Sequence, residues 1–148
     1  MDLIAKTGSA SRIFIDTAPV IYYIEADPKF GDCIKKAIDS FQQGNVKIVT
    51  SVITLLEVLP KPIEKGREDL AEKFAEFIKH GKNVLLIHID PDIAEKAGKL
   101  KGQYTFLKSM DAIQIGTALE TGCELFITND TELTKIKEIE IIVLKDYI

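Results

Sequence analysis

The fold of this chain is decided by one stretch, which reads Leu107-Lys108-Ser109-Met110-Asp111-Ala112-Ile113-Gln114-Ile115-Gly116-Thr117-Ala118-Leu119. Its spacing is that of a helix, and its apolar residues fall on every side, so we expect the helix to be buried. Gly116 and Ala118 are small, which would let this helix pack close to a sheet. The first turn nevertheless contains a carboxylate, Asp111. A buried charge is costly unless it is paired or bound to a metal, so we expect a cation or a polar partner near Asp111.

Short apolar runs before and after this helix predict five strands, at residues 12–16, 46–49, 84–87, 124–128 and 141–144. Helical segments separate them, at 20–24, 28–43, 52–59, 64–80 and 91–100, with a polar loop at 101–105 and a short helix at 130–136. Strands that alternate with helices predict a parallel sheet covered on both faces, which is a three-layer α/β/α fold. Such sheets bind their ligands beyond the carboxyl ends of the strands.

The composition narrows the class of protein. A chain of 148 residues with 46% hydrophobic and 28% charged residues fits one globular domain, which we place at 12–148 after a tail or lead-in at 1–11. A net charge of -4 argues against a broad basic surface for nucleic acid, although bound divalent cations reverse the sign of an acidic site. The apolar runs are too short to span a membrane. Two cysteines without a disulfide framework, and no visible secretory signal, predict a cytoplasmic protein.

Four acids stand alone in or beside apolar elements, namely Asp16, Glu57, Asp111 and Asp130. Each has an ordinary structural explanation, because aspartates cap helices or favour a first turn, and a glutamate on a short helix can face solvent. Brought together, however, they would repel one another by about 4 kcal/mol per pair at ~4 Å and an effective dielectric near 20. Such a cluster requires cations. Oxygen ligands without histidine or cysteine suit Mg²⁺ or Mn²⁺, and cations held by carboxylates are common equipment for hydrolysing phosphodiesters.

In this order, the four acids make the sequence resemble the PIN-domain ribonucleases, a family that contains the VapC toxins of VapBC toxin–antitoxin pairs. The similarity is carried by Ile13-Phe14-Ile15-Asp16-Thr17, Leu55-Leu56-Glu57-Val58, the stretch Met110 to Leu119, and Phe126-Ile127-Thr128-Asn129-Asp130. One departure is the lead-in of eleven residues, since many toxins of the family begin their first strand almost at once.

The resemblance implies a PIN-like fold with a five-stranded parallel sheet, dependence on Mg²⁺ or Mn²⁺, endoribonuclease activity and often a homodimer. Carried onto this sequence, it implies that Asp16, Asp111 and Asp130 ligate the metal, with Glu57 bound directly or through water. Thr128 matches a hydroxyl residue that supports the family's site, and Thr17 is a weaker candidate of the same kind. A strand end or a helix cap explains Thr128 equally well.

The predicted function is therefore metal-dependent hydrolysis of RNA by the toxin of a toxin–antitoxin pair, with an antitoxin protein as a possible partner. One alternative is a catalytically inactive PIN-like module that binds RNA or acts as a scaffold, and another is an RNA-maturation nuclease outside a toxin system. A phosphatase or a receiver domain is disfavoured, because a receiver needs an acid pair after its first strand and only Asp16 stands there. Candidates for phosphate contacts are Lys61, Lys65, Arg67, Lys101 and Lys108, and Tyr104 is a candidate for base stacking.

Overall fold

A computed structural model describes residues 2–148 and contains one sheet of five parallel strands. The strands are β1 Arg12–Ile15, β2 Lys47–Ser51, β3 Val84–Ile87, β4 Leu125–Thr128 and β5 Glu140–Val143. Their order across the sheet is β3-β2-β1-β4-β5, so β1 and β4 are neighbours at its centre. Ile15 pairs with Ile127, which makes these two strands end at the same level. The predicted five-stranded parallel sheet is confirmed.

Eight helices within residues 2–148 surround the sheet. They are α1 Leu3–Thr7, α2 Thr17–Ile24, α3 Gly31–Gln43, α4 Val52–Val58, α5 Pro60–Glu64, α6 Glu68–His80, α7 Pro91–Gln103 and α8 Ser109–Glu120, and short 3-10 helices follow at Thr131–Lys135 and Leu144–Tyr147. None of them is long and apolar enough to cross a bilayer.

The two faces of the sheet build two separate hydrophobic cores, because alternate residues of a strand point to opposite faces. Ile13, Ile15 and Ile48 belong to the core that the side chains of α2, α3 and α6 complete. Phe14 and Phe126 belong to the other core, where α7 and α8 supply the apolar residues. These two rings stack with centroids 4.9 Å apart. The three-layer arrangement predicted from the sequence is therefore observed.

The helix that decides the fold is buried as predicted and packs on the sheet, and at Gly116 it also approaches another helix closely. In α8, Ala112, Ile115 and Ala118 have no exposed surface, whereas Met110 is 44% exposed. A side chain added at Gly116 would meet the backbone of α7, with its Cβ 3.2 Å from the carbonyl oxygen of Ile93. The small residue thus permits the contact between α7 and α8.

Several element boundaries differ from the prediction. The lead-in contains α1, whose Leu3 is buried and whose first turn is capped by Asp2, while Met1 lies outside the described residues. The helix predicted at 64–80 begins only at Glu68, as α6, because residues 65–67, with Gly66 at a positive φ of 69°, separate it from α5. Pro60 does not only end α4 but also begins α5, since the fixed φ of proline suits a first helical turn. The predicted loop at 101–105 is partly helical, as α7 continues to Gln103.

Candidate active site

Asp16 lies at the carboxyl edge of the sheet, directly after the central strand β1. The residue follows Ile15, and its backbone N–H donates to the carbonyl of Ile127 in β4 at 2.9 Å. One carboxylate oxygen accepts a hydrogen bond from the backbone N–H of Thr17 at 2.9 Å, and the other accepts one from the hydroxyl of Thr128 at 2.9 Å. Asp16 therefore caps α2 and is held in a fixed orientation by the neighbouring strand. The capping explanation and a functional role are compatible at this position.

Thr128 also connects Asp16 to Asp130, the acid that follows β4. The buried Thr128 hydroxyl accepts from the backbone N–H of Asp130 at 3.2 Å while it donates to Asp16. The exposed side chain of Asp130 accepts from the backbone N–H of Glu132 at 3.0 Å and so caps the 3-10 helix that follows β4. One hydroxyl thereby links the two strand-end aspartates, and the supporting role of Thr128 in the site stays a prediction.

Two helices bring the other two acids toward this edge. Asp111 lies partly buried in the first turn of α8. Glu57 lies on α4, is exposed, and accepts a hydrogen bond of 2.6 Å from the hydroxyl of Thr17. Thr17 therefore contacts Asp16 through its backbone and Glu57 through its side chain.

The electrostatics show that these carboxylates act on one another. Burial raises the pKa of Asp16 to about 6, against the hydrogen bonds from Thr17 and Thr128, and the charges of Asp111 and Glu57 add to the rise. Burial also raises the pKa of Asp111, where the charge of Asp130 contributes next and Lys108 opposes it. Within residues 2–148, none of the four carboxylates forms an ion pair. Their negative charge therefore lacks a direct cationic partner in the part of the chain that the structure describes.

The donor set fits a hard divalent cation in its chemistry but does not form a ready-made cage. In the described part of the chain, no three carboxylate, imidazole or thiolate side chains come together closely enough to hold a metal ion. Oxygens of Glu57 and Asp130 are instead engaged by Thr17 and by a backbone N–H. All of the candidate ligands are oxygens, which Mg²⁺ and Mn²⁺ prefer. The four acids thus form an open, negatively charged edge.

A buried network of polar side chains lies behind Glu57, and the sequence did not predict it. The Ser51 hydroxyl donates to the side-chain oxygen of Gln114, and the Gln114 amide donates to the Thr54 hydroxyl at 2.7 Å. Thr54 lies 3.4 Å from the hydroxyl oxygen of Thr17, which contacts Glu57. One sequence signal was available, because Gln114 is a polar residue between two isoleucines of an apolar helix.

A cleft of about 270 Å³ opens beside Glu57, between α2, α4, α5 and α6. Its apolar wall includes Ile21 and Val58. Three of the five predicted phosphate contacts, Lys61, Lys65 and Arg67, line it, and Arg67 is paired with Asp69 at 3.0 Å.

The other basic and aromatic candidates lie away from this cleft. Lys101 donates to the Ser109 hydroxyl at 2.7 Å, and Lys108 acts on the charge of Asp111. The Tyr104 hydroxyl donates to Glu138 at 2.6 Å, and its role in base stacking stays a prediction.

Comparison with protein families matches the profile described as "PIN domain" to residues 13–139, which is most of the chain. The chain belongs to the PIN domain family. No curated protein matches it. The matched range of this PIN domain begins within β1 and includes all four acids.

Solved structures share the fold of this PIN domain at low sequence identity. A chain in VapBC2 from Rickettsia felis, bound to a promoter DNA fragment, is 17% identical with a TM-score of 0.74, covering 89% of this chain and 98% of that one. VapC20 from Mycobacterium tuberculosis, a toxin that cleaves the sarcin-ricin loop, is 18% identical with a TM-score of 0.68, covering 86% and 98%. VapBC-1 from nontypeable Haemophilus influenzae is 17% identical with a TM-score of 0.70, covering 90% and 98%. The fold is that of the VapC toxins.

Proposed function

We propose that this PIN domain is an Mg²⁺- or Mn²⁺-dependent endoribonuclease that hydrolyses phosphodiester bonds of RNA. Its catalytic, metal-binding residues are Asp16, Glu57, Asp111 and Asp130, with Thr128 and Thr17 in support. One observation carries the proposal. Four acids from four elements lie at the same edge of the sheet, where their charges interact with one another. Within residues 2–148 none of them has a salt-bridge partner.

The chemistry divides between the cation and the protein. A bound divalent cation would supply an activated water and stabilise charge on the phosphate oxygens. The aspartates would hold the cation, and the two hydrogen bonds to Asp16 keep its carboxylate in one orientation. Glu57 stands at the exposed rim, where its carboxylate accepts a proton or a hydrogen bond from the attacking water. No histidine base is required for this scheme.

The cleft beside Glu57 is the proposed path of the RNA backbone. Lys61 and Lys65 offset the acidic edge locally, and phosphate contacts by lysine supply affinity without reading sequence. The apolar wall of the cleft suits the face of a base or a ribose. The two lysines thereby give RNA a short positively charged surface next to the acidic site of a protein with net negative charge.

The proposed biological role is that of a cytoplasmic toxin, as a homodimer, controlled by an antitoxin protein. Similarity of fold to VapBC2 from Rickettsia felis and to VapC20 from Mycobacterium tuberculosis supports it. Leu56 and Ile63 support a protein partner, because these large apolar side chains are 60% and 55% exposed on the helices that border the cleft.

A non-cleaving module that binds RNA is the second candidate. The open arrangement of the carboxylates favours it, because no group of three among residues 2–148 forms a closed metal site. An inactive module would bind RNA without regard to divalent cations.

The test is cleavage of labelled RNA and of total RNA from several sources, with Mg²⁺, Mn²⁺ or a chelator. We expect cleavage with either cation, none with chelator, and a loss of at least about 100-fold in Asp111→Asn, since even outer-shell changes cost 10–100-fold. Glu120→Gln is the matched control, because it removes an exposed acid from the same helix. Folded protein that binds RNA but leaves it intact with both cations would establish the binding module instead.

A further inference from the structure

We propose that Gln114 is a positioning residue for Glu57 and acts on it through the hydroxyls of Thr54 and Thr17. This inference rests on the proposed function, because it assigns a role in the same site. The three residues behind Glu57 are almost fully enclosed, with Ser51 and Thr54 at 0% and Gln114 at 1% exposure. They connect the end of β2, α4 and α8 to the exposed rim of the site.

The hydrogen-bond chain has one direction. A side-chain amide nitrogen only donates and a carboxylate only accepts, so the two ends of the chain fix what lies between them. Thr54 accepts from the Gln114 amide at 2.7 Å, which leaves its own proton for Thr17. Thr17 then accepts from Thr54 and gives its proton to Glu57 at 2.6 Å.

The opposite orientation of the Gln114 amide would break the hydrogen bond between Thr54 and Thr17. It would turn the Thr54 proton toward Gln114, and because Thr17 gives its proton to Glu57, no proton would remain between the two threonine hydroxyls. The proposed direction gives every hydroxyl one bond as donor and one as acceptor, since Ser51 likewise accepts from the Ile53 N–H at 3.1 Å and donates to Gln114.

This series of hydrogen bonds orients the carboxylate of Glu57, as the Thr128 hydroxyl orients that of Asp16. Glu57 is a long, exposed side chain, and the Thr17 hydroxyl restrains one of its two oxygens. Hydrogen bonds in series and away from water strengthen one another, so the buried part of the chain keeps the Thr17 hydroxyl aimed at Glu57. A carboxylate ordered before the substrate binds need not be ordered during the reaction.

The arrangement also links two acids through one helix. Gln114 follows Asp111 by three residues, and side chains with this spacing lie on the same side of a helix. Helix α8 therefore places Asp111 directly and Glu57 through the hydroxyl chain.

The test is a mutant cycle with RNA cleavage as one readout. Thr54→Val keeps the shape but removes the link, and we expect kcat to fall about tenfold with KM for RNA unchanged, as outer-shell changes do. In a Glu57→Gln background the same change should cost nothing more, because the chain then has no carboxylate to orient. Thr54→Ser restores the hydroxyl and should recover most of the rate.

Thr117→Val is the matched control. Thr117 is equally buried, lies on α8, and donates only to the carbonyl of Ile113 in its own helix. We expect its rate to equal that of the wild type. An equal loss in Thr117→Val and Thr54→Val, or a full further loss in the Glu57→Gln background, would overturn the positioning role and show a general packing effect.

A second readout separates this inference from the nuclease proposal. The ¹³C resonance of the Glu57 carboxylate, followed by NMR without metal or RNA, should move in Thr54→Val and in Gln114→Met but not in Thr117→Val. If the wild type cleaves no RNA and this pattern still appears, the nuclease proposal fails while the hydrogen-bond link is real. If the Glu57 resonance ignores both Thr54→Val and Gln114→Met, the positioning role is refuted whatever the activity.

Discussion

Replacing Asp16 by asparagine should stabilise the metal-free protein at pH 7 while it abolishes cleavage. Burial raises the pKa of Asp16 from 3.8 to about 6. Since one pKa unit corresponds to 1.36 kcal/mol, the ionised carboxylate costs the fold up to about 3 kcal/mol at neutral pH. Asparagine keeps an acceptor for the Thr17 N–H but not the charge-assisted bond from Thr128, so we expect a net gain of about 1–2 kcal/mol.

The gain depends on pH in a defined direction. The folded state binds the Asp16 proton more tightly than the unfolded state, so this group stabilises the fold below about pH 4 and loses that contribution as the pH rises through about 6. Asparagine does not titrate. The difference between variant and wild type should therefore be small at pH 4 and complete at pH 7.

Urea unfolding with a chelator at pH 4.5 and pH 7 measures this, with Asp146→Asn as the control for loss of an exposed acid. Excess Mg²⁺ should reverse the order at pH 7, because a ligand that binds only the native wild type stabilises it. An Asp16→Asn variant that is less stable than the wild type at pH 7, or a difference that does not grow between the two pH values, would refute the reasoning.

Three further predictions concern packing, substrate contact and support of the site. Gly116→Ala should destabilise the fold by about 1–3 kcal/mol in urea unfolding, because its Cβ would press on the α7 backbone. The control Gly98→Ala meets nothing within 4 Å and should stabilise α7 by about 1 kcal/mol. Lys61→Glu with Lys65→Glu should weaken RNA binding and reduce the dependence of log K on log salt by about 1.4. Thr128→Val should slow cleavage at least about tenfold, and Thr128→Ser should recover it.

Each of these has an outcome that contradicts it. Equal stabilities of the two glycine variants would mean that the contact between α7 and α8 can relax. Unchanged salt dependence would place the RNA backbone outside the cleft. A Thr128→Val rate equal to that of the wild type would leave Thr128 as a strand-end residue.

The layout of the fold was predictable because it depends on local patterns. Apolar runs predicted five strands, and the apolar helix around Ile115 predicted a buried element. The carboxyl-edge rule predicted where Asp16 and Asp130 would lie, although it did not give the order of the strands. The beginning of α5 at Pro60 was not predicted, because proline can either end one helix or begin the next.

The buried polar network behind Glu57 could not be predicted from the sequence, for a different reason. Its two buried bonds join Gln114 to Ser51 and to Thr54, residues 63 and 60 positions away. Partners this distant are set by tertiary packing. The same holds for the openness of the acidic edge, because the direction of the Glu57 side chain depends on Thr17, forty residues earlier.

Titration of the metal-free protein with Mn²⁺ by calorimetry at pH 7 tests the central claim most directly, because it needs neither a substrate nor a partner. We expect the wild type to bind Mn²⁺, and Asp16→Asn and Asp111→Asn to bind it at least about tenfold more weakly while remaining folded. A wild type that takes up no Mn²⁺, or variants that bind it as tightly as the wild type, would contradict the assignment of these carboxylates to a metal site.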